Sequence, residues 1–255
     1  MTPTVFYSWH SDLNEDANRY FIREALSIAV STHAEVSEPE MRYDDATEGL
    51  SGTPDIPASI FEKLSTASVA VFDVTPVGET LASGTRPSKK LLNPNVALEL
   101  GFAASTIGWE RIILVFNKGY GDDPSCLPFD LKHRRFPLCY KATNDNELEK
   151  KKVSGCLKNY IKAALQDSNL AFDKARRRLS RDCIELANQF RNQSNFAFNT
   201  QSDHSAHSTT IHRLLDLGFI GCDFKVSPPH YSYYWTYLGN QLCEWFASDQ
   251  AKSNG

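Results

Sequence analysis

The sequence lacks the features that mark a membrane-spanning protein, a secreted protein or a redox dinucleotide-binding protein. No apolar run approaches the roughly 20 residues that a transmembrane helix needs. The first residues, MTPTVFYSWHSD, contain no basic segment followed by an apolar stretch, as a secretory signal would. No G-x-G-x-x-G pattern follows the first predicted strand, so a Rossmann-type redox site is not supported. We therefore expect a cytoplasmic protein that does not contact a membrane.

Cysteine pairs are also missing, although the chain contains six cysteines. They are scattered through the 255 residues, and no two of them form a C-x-x-C motif. In a chain of this length such spacing is typical of reduced thiols rather than of a disulfide framework or a zinc site. We therefore expect no metal centre built on these cysteines.

Charge is unevenly distributed between two parts of the chain. Residues 1–150 carry 14 Lys+Arg and 22 Asp+Glu, whereas residues 151–255 carry 13 and 9. The acidic first part disfavours nucleic acid as the primary substrate, while the second part permits contact with phosphates without requiring it. Together with the change in pattern described below, this predicts two domains, residues 1–145 and residues 146–255.

In the first part, short β-rich or apolar segments alternate with helical segments. Helices are predicted to begin near Asn14, Asp55 and Asn93. The predicted strands are Thr4–Ser8, MRYDD (41–45), Ser68–Val74, Arg111–Asn117 and RFPLCY (135–140). This order predicts an α/β fold, with helices on both faces of a parallel sheet. Ligands of such sheets bind at the carboxyl ends of the strands.

The second part has a helical pattern followed by a β-rich end. We expect two helical pieces, broken near Asp167–Asn169, and then an exposed polar loop over 193–208. A helix ending at Leu217, two strands joined by a turn at Pro228-Pro229, and a last helix resemble the end of a winged-helix module. The helix before the predicted wing offers little basic character, so this helical, winged-helix-like region is expected to sense a ligand or mediate assembly.

One carboxylate lies inside an otherwise apolar predicted helix. The segment NPNVALELGFA starts with Asn93, which can cap a helix, and Pro94, which suits its first turn. Glu99 follows about one and a half turns later. A carboxylate there could stabilise the cationic transition state of N-glycosidic cleavage, or attack the anomeric carbon. The alternative is a glutamate that faces water or bonds a neighbouring backbone.

Four segments of the first part resemble a known family over residues 4–140. They are VFYSWHSD (5–12), DDATEGLSGTPDI (44–56), VAVFDVTP (69–76), and NPNVALELGFA followed by RIILVFN (93–117). They resemble the bacterial TIR-like domains of anti-phage defence proteins, and are similar to nucleoside 2-deoxyribosyltransferase-like N-glycosidases. The resemblance implies a flavodoxin-like, TIR-like fold in which Glu99 is the catalytic carboxylate. In TIR-type enzymes the substrate is NAD, cut between nicotinamide and ribose, so no separate cofactor is expected.

Further candidate residues lie in the turns at the predicted carboxyl edge of the sheet. Trp9 could stack on a base or pack at a loop, and Asp12 could bond a ribose hydroxyl or cap a helix. The resemblance implies that the loop from Asp44 packs between subunits and gates the pocket. Alternatively, that loop is a plain surface loop, Asp73 caps the end of its strand, which is the favoured interpretation, and Asn93 only caps its helix. The full predicted substrate-binding set is Tyr7, Ser8, Trp9, Asp12, Asp44, Asp73, Asn93 and Asn95.

Three functions are compatible with these patterns. The first is an NAD glycohydrolase that acts as an anti-phage effector and is switched on by homo-oligomerisation, after an activating ligand or partner protein binds. The second keeps the chemistry but uses another substrate, as a nucleoside or nucleotide N-glycosidase or deoxyribosyltransferase. The third is a non-enzymatic TIR-like scaffold or nucleotide sensor. Glu99 beneath a polar strand-end surface favours the two enzymes.

Overall fold

The structure is a computed structural model that describes residues 3–34, 42–45, 56–85, 87–134, 136–144, 146–198, 200–222 and 231–253. Contacts within the chain divide it into an N-terminal unit, residues 2–165, and a C-terminal unit, residues 166–255. The division lies later in the chain than the predicted boundary at residue 145. It falls inside one long helix, because the first half of that helix packs on the sheet of the N-terminal unit.

The N-terminal unit alternates strands and helices, as the sequence pattern predicts. Its elements in chain order are β1 (Thr4–Ser8), α1 (Arg19–Ala34), β2 (Arg42–Asp45), α2 (Ile56–Thr66), β3 (Val69–Asp73), β4 (Gly78–Glu79), β5 (Lys90–Leu91), α3 (Pro94–Thr106), β6 (Ile112–Asn117), α4 (Phe129–Lys132), β7 (Leu138–Tyr140) and α5 (Glu147–Arg176). β4 and β5 form a separate antiparallel pair.

Five of these strands form one parallel sheet in the order β2-β1-β3-β6-β7. This is the flavodoxin-like order, so the predicted parallel α/β sheet is confirmed. All five residues of β3 are buried, as expected for a strand covered on both faces. The chain order reverses between β1 and β3, which is the position where such sheets place a ligand crevice.

Each face of this sheet carries its own hydrophobic core. On one face, Val5 and Tyr7 pack with α1 and the first half of α5. On the other face, Phe6 and Phe72 pack with α2 and α3. Because successive residues of a strand point to opposite faces, Ser8 lies on the same face as Phe6, toward α3.

The C-terminal unit holds a three-stranded antiparallel sheet with the strand order β8-β10-β9. Its core is rich in aromatic residues from β8, β10 and the surrounding helices, and β9 contributes Ile220. Its elements after α5 are α6 (Arg181–Phe190), β8 (Asn195–Phe198), α7 (Gln201–Ala206), α8 (Ser208–Asp216), β9 (Ile220–Cys222), β10 (Tyr231–Trp235) and α9 (Tyr237–Ser253).

Two predictions for this unit are wrong. Helix α5 runs without a break through Asp167–Asn169 and ends at Arg176. Helix α6 then begins at Arg181, after its cap Ser180. The stretch 193–208 is not a loop, because it contains β8 and α7. Phe196 and Phe198 alternate with exposed residues along β8 and both are buried, a two-residue period hidden in a polar composition.

Within the described ranges, no helix has both the length and the apolar character needed to cross a membrane.

Candidate functional site

The turn after β1 and the first turns of α3 meet at the carboxyl edge of the sheet. Ser8, the last residue of β1, donates a hydrogen bond from Oγ to Oε2 of Glu99 at 2.6 Å. Ser8 is buried and Glu99 is half-buried. The predicted position of Glu99 near the mouth of the sheet therefore matches its observed contact with a strand end.

Local sequence explains why α3 starts where it does. The side-chain oxygen of Asn93 accepts from the backbone N–H groups of Asn95 and Val96, at 2.9 and 3.1 Å. Pro94 occupies the first turn, where a missing N–H has no cost. Val96, Leu100 and Ala103 anchor the helix on the sheet, and Glu99 lies between the first two of these along the chain.

The environment of Glu99 disfavours its charged form. Burial raises the pKa of Glu99 above the ordinary value, and the hydrogen bond from Ser8 opposes part of this rise. Above that raised pKa, the site presents a poorly solvated anion whose strongest described contact is one hydroxyl. Such an anion is suited to stabilise a positive charge that develops nearby, because little water must be displaced first.

A second polar cluster lies beside this pair. Asp12 accepts a hydrogen bond from Asn93 Nδ2 at its Oδ2 atom, at 2.6 Å. The same oxygen lies 3.5 Å from Nδ1 of His10, and Nε2 of His10 lies 3.7 Å from Oδ2 of Asp73. The cluster thus runs from the end of β3, through the turn after β1, to the N-terminus of α3.

Asp73 links this cluster to the neighbouring strand. Its Oδ1 atom accepts from the backbone N–H of Thr75, and the Thr75 hydroxyl oxygen accepts from the backbone N–H of Asn117, both at 2.9 Å. Burial raises the pKa of Asp73, while His10 and Thr75 act in the opposite direction. A carboxylate buried at a strand end with a raised pKa is typical of functional sites.

Sequence reasoning did not single out His10. The residue lies in the turn between Ser8 and Asp12, both of which were predicted to bind substrate. Its position between these two residues was the one feature of the sequence that could have indicated a role at the site. It is only 4% exposed, in a segment whose polar composition gives no indication of burial.

The structure does not bring every predicted residue to Glu99. Tyr7 is fully buried on the opposite face of the sheet, and Trp9 packs against the same core. The guanidinium of Arg19 lies 3.4 Å from the centre of the Trp9 ring, so one face of that ring is already covered. Asn95 is exposed beside the cap of α3.

The loop from Asp44 can be placed only at its start. Asp44 lies in β2, in register with Phe6 of β1, and its backbone is therefore part of a strand rather than of a loop. Residues 46–55, the rest of the predicted gating loop, lie outside the described residues.

Comparison with known proteins gives no assignment. No model of a protein family matches the chain, and no curated protein matches it significantly. Within the described ranges, no group of three or more His, Cys, Asp or Glu side chains is arranged to hold a metal ion. The chemistry of the site must therefore be inferred from its own residues.

Proposed function

We propose that this protein is a TIR-type NAD glycohydrolase that cleaves the bond between nicotinamide and ribose. The observation that carries the proposal is the contact between Ser8 and Glu99 at the carboxyl edge of a flavodoxin-like sheet. Glu99 lies on the helix that matches the most specific motif of the TIR-like resemblance. Burial raises the pKa of Glu99, which supports a functional role for this carboxylate over that of a water-facing surface glutamate.

In the proposed reaction, Glu99 faces the ribose that carries nicotinamide. As the bond between C1′ and the ring nitrogen breaks, its electron pair moves to the nitrogen, and neutral nicotinamide leaves. Ionised Glu99 stabilises the oxocarbenium-like cation that remains on the sugar. Water then adds to C1′ and releases a proton, so that NAD and water give nicotinamide, ADP-ribose and one proton.

Ser8 and Asn93 support this carboxylate in different ways. The Ser8 hydroxyl orients Glu99 through its hydrogen bond, and Asn93 fixes the start of the helix that carries it. Asp12 offers a further carboxylate at the same edge, where a ribose hydroxyl could donate to it, whereas Asp73 is buried behind His10. No cofactor is required, because NAD is the substrate.

The same carboxylate would serve a nucleoside or nucleotide N-glycosidase, or a deoxyribosyltransferase. These enzymes differ from an NAD glycohydrolase in the base that leaves and in the acceptor of the sugar. A panel of NAD, nucleosides and deoxynucleotides, analysed for the free base, separates them. Release of a base other than nicotinamide would identify the second class.

The C-terminal unit is the proposed site of regulation. The order of its elements, α6-β8-α7-α8-β9-β10-α9, and its sheet order support a winged-helix-like module. Residues 166–255 carry 9 Lys+Arg and 9 Asp+Glu, a balance that favours ligand sensing or assembly over DNA binding. We propose that this module couples a trigger to homo-oligomerisation of a cytoplasmic anti-phage effector.

Nicotinamide release by the purified protein tests the proposal. Wild type, Glu99→Gln and the control Glu110→Gln, which alters an exposed glutamate of the segment after α3, are compared at low and high protein concentration. We expect release that rises more steeply than the protein concentration, a loss of about 1000-fold in Glu99→Gln, and no loss in the control. If wild type releases no nicotinamide and Glu99→Gln retains the cellular defence phenotype, the protein is a scaffold and not an enzyme.

A further inference from the structure

The ring of His10 lies between two carboxylates of very different exposure. Its Nε2 atom is 3.7 Å from Oδ2 of Asp73, whose side chain is 1% exposed. Its Nδ1 atom is 3.5 Å from Oδ2 of Asp12, whose side chain is 47% exposed. The ring therefore connects a fully buried anion to one that faces solvent.

The hydrogen-bond donors and acceptors of His10, Asp73 and Asp12 do not match unless the three side chains share an additional proton. Carboxylates only accept hydrogen bonds when ionised, and a neutral imidazole has a single N–H for two facing carboxylates. Asp73 Oδ2 and both ring nitrogens of His10 form no hydrogen bond with any described residue. An ionised Asp73 beside an uncharged ring would leave one buried negative charge without compensation, whereas the half-exposed Asp12 is solvated. A proton held within the Asp73–His10–Asp12 cluster removes that cost.

Two hydrogen bonds join the turn that carries His10 to the helix that carries Glu99. Asp12 accepts from Asn93, the residue that caps α3, and Ser8, two residues before His10, donates to Glu99. Both hydrogen bonds join the turn after β1 to the first turns of α3. If Asp12 moved away from His10, its hydrogen bond with Asn93 would weaken. Because the turn is short, the hydrogen bond between Ser8 and Glu99 would weaken as well.

We propose that His10 is a positioning residue, which compensates the buried charge of Asp73, links it to Asp12 and thereby holds Ser8 against Glu99. His10 acts through its neighbours and does not touch the substrate. The effect on catalysis rests on the proposed function, whereas the charge compensation stands on the contacts alone.

The sign of the pH dependence follows from Asp73. Burial raises the pKa of Asp73, and His10 opposes that rise, so removal of His10 makes the ionised carboxylate still less favourable. Among the described residues, the titratable groups that act on this pair include Asp12 and, near Asp73, the phenol of Tyr140, whose pKa is raised by its own burial and then by Asp73. In His10→Gln the stability lost relative to wild type should be small at pH values below the ordinary 3.8 of aspartate. The loss should then grow as the pH rises toward neutrality.

A double-mutant cycle in thermal unfolding tests the charge compensation. Wild type, His10→Gln, Asp73→Asn and the double variant are unfolded across the pH range. Asparagine at 73 can still accept from Thr75, so the cycle removes the charge and keeps that contact. We expect His10→Gln to lower the Tm in the wild-type background, most strongly at neutral pH, and to have little effect in the Asp73→Asn background. Equal effects in both backgrounds, or a deficit that does not change with pH, would overturn the proposal.

Failure of a variant to fold also gives an answer. If His10→Gln does not fold but the double variant does, the charge of Asp73 is the cause and the proposal holds. If neither folds, His10 acts by packing and the proposal is wrong.

Kinetics extend the test to the site itself. With NAD as the probe, we expect His10→Gln to lower kcat by about 100-fold, because the carboxylate is misplaced, with a much smaller change in KM. A loss of similar size in the Asp73→Asn background would overturn the positioning role. If wild type releases no nicotinamide, the proposed function fails, while the unfolding cycle still decides whether His10 compensates Asp73.

Discussion

The two units bury different kinds of side chain. In the described part of the N-terminal unit, four side chains of the Asp, Glu, His, Lys and Arg types are buried: His10, Asp73, Arg111 and Lys150. In the described part of the C-terminal unit no side chain of these types is buried, and the buried hydroxyls of Ser168 and Thr236 carry no charge. Burial of an ionisable group lowers stability unless a partner compensates it. The N-terminal unit therefore retains groups that a purely structural domain could replace.

Two of these four groups have ordinary structural roles. Arg111 donates to the backbone oxygens of Ile107 and Ala67, which ties α3 and α2 to the sheet. Lys150 pairs with Glu24 and Glu147 on α1 and α5. His10 and Asp73 differ, because they lie together at the carboxyl edge of the sheet and compensate one another. The comparison thus separates burial that serves the fold from burial that serves the site.

The largest expected effect lies in the C-terminal unit. Phe196 is 2% exposed and packs against the rings of Phe190, Tyr233 and Trp235, with centroids 4.8, 5.6 and 5.2 Å away. Phe196→Ala should destabilise that unit by about 3–5 kcal/mol through the lost burial and the cavity left behind. Hydrogen exchange should show protection lost in β8 and β10 but kept in β1 and β3. The exposed Phe129 supplies the control, since Phe129→Ala should change stability by less than about 0.5 kcal/mol.

A polar substitution should be nearly as costly in the N-terminal unit. The side-chain amide of Asn117 donates to Ala17 O, Asn18 Oδ1 and Ala142 O, and its oxygen accepts from the N–H groups of Gly119 and Ala142. Asn117→Ala leaves these buried groups without their partner, which should cost about 3 kcal/mol in urea unfolding. If Asn117→Ala lowers the free energy of unfolding by no more than an exposed substitution does, buried polar contacts do not stabilise the N-terminal unit as proposed.

The cap of α3 offers a smaller effect at the site itself. Asn93→Ala removes the cap and the donor to Asp12, and should cost about 1 kcal/mol of stability. The exposed neighbour Asn95 is the matched control, because Asn95→Ala removes no described side-chain contact. If the two substitutions cost the same, the cap does not define the start of the helix.

The smallest expected effect is on the Tm of Glu99→Gln, which tests whether ionised Glu99 costs stability in the folded protein. Because burial raises its pKa in the folded state, Glu99 favours folding while protonated, and this contribution is lost as the pH rises through the raised value. Glu99→Gln keeps an acceptor for Ser8 and carries no charge. Its Tm should equal that of wild type below the ordinary pKa of 4.5 and exceed it slightly at neutral pH. A wild type more stable than the variant at neutral pH would mean that ionised Glu99 stabilises the fold.

Local patterns predicted most elements of the N-terminal unit. An apolar run such as Val69–Asp73 can be recognised as a strand buried on both faces, and the cap at Asn93 marks a helix start from three residues. The charge asymmetry was less informative, because four lysines between 151 and 162 belong to the N-terminal unit. Residues 166–255 alone carry equal numbers of acidic and basic residues.

The geometry of the site was harder to predict, because it depends on strand pairing. Ser8 and Glu99 are 91 residues apart, and only the placement of β1 beside β3 brings them together. Strand alternation does show that Tyr7 and Ser8 face opposite sides. No comparable rule predicts the burial of His10, since a single histidine in a polar turn has no periodic signal.

The hydrogen bond between Ser8 and Glu99 has a direction, and that direction limits what can bind there. A hydroxyl group has one proton, and Ser8 gives it to the carboxylate. Toward any incoming molecule, Ser8 then presents only lone pairs. A guest that pairs with this serine must supply its own proton, so an N–H or O–H group can be accepted at this point while a bare carbonyl or ether oxygen cannot.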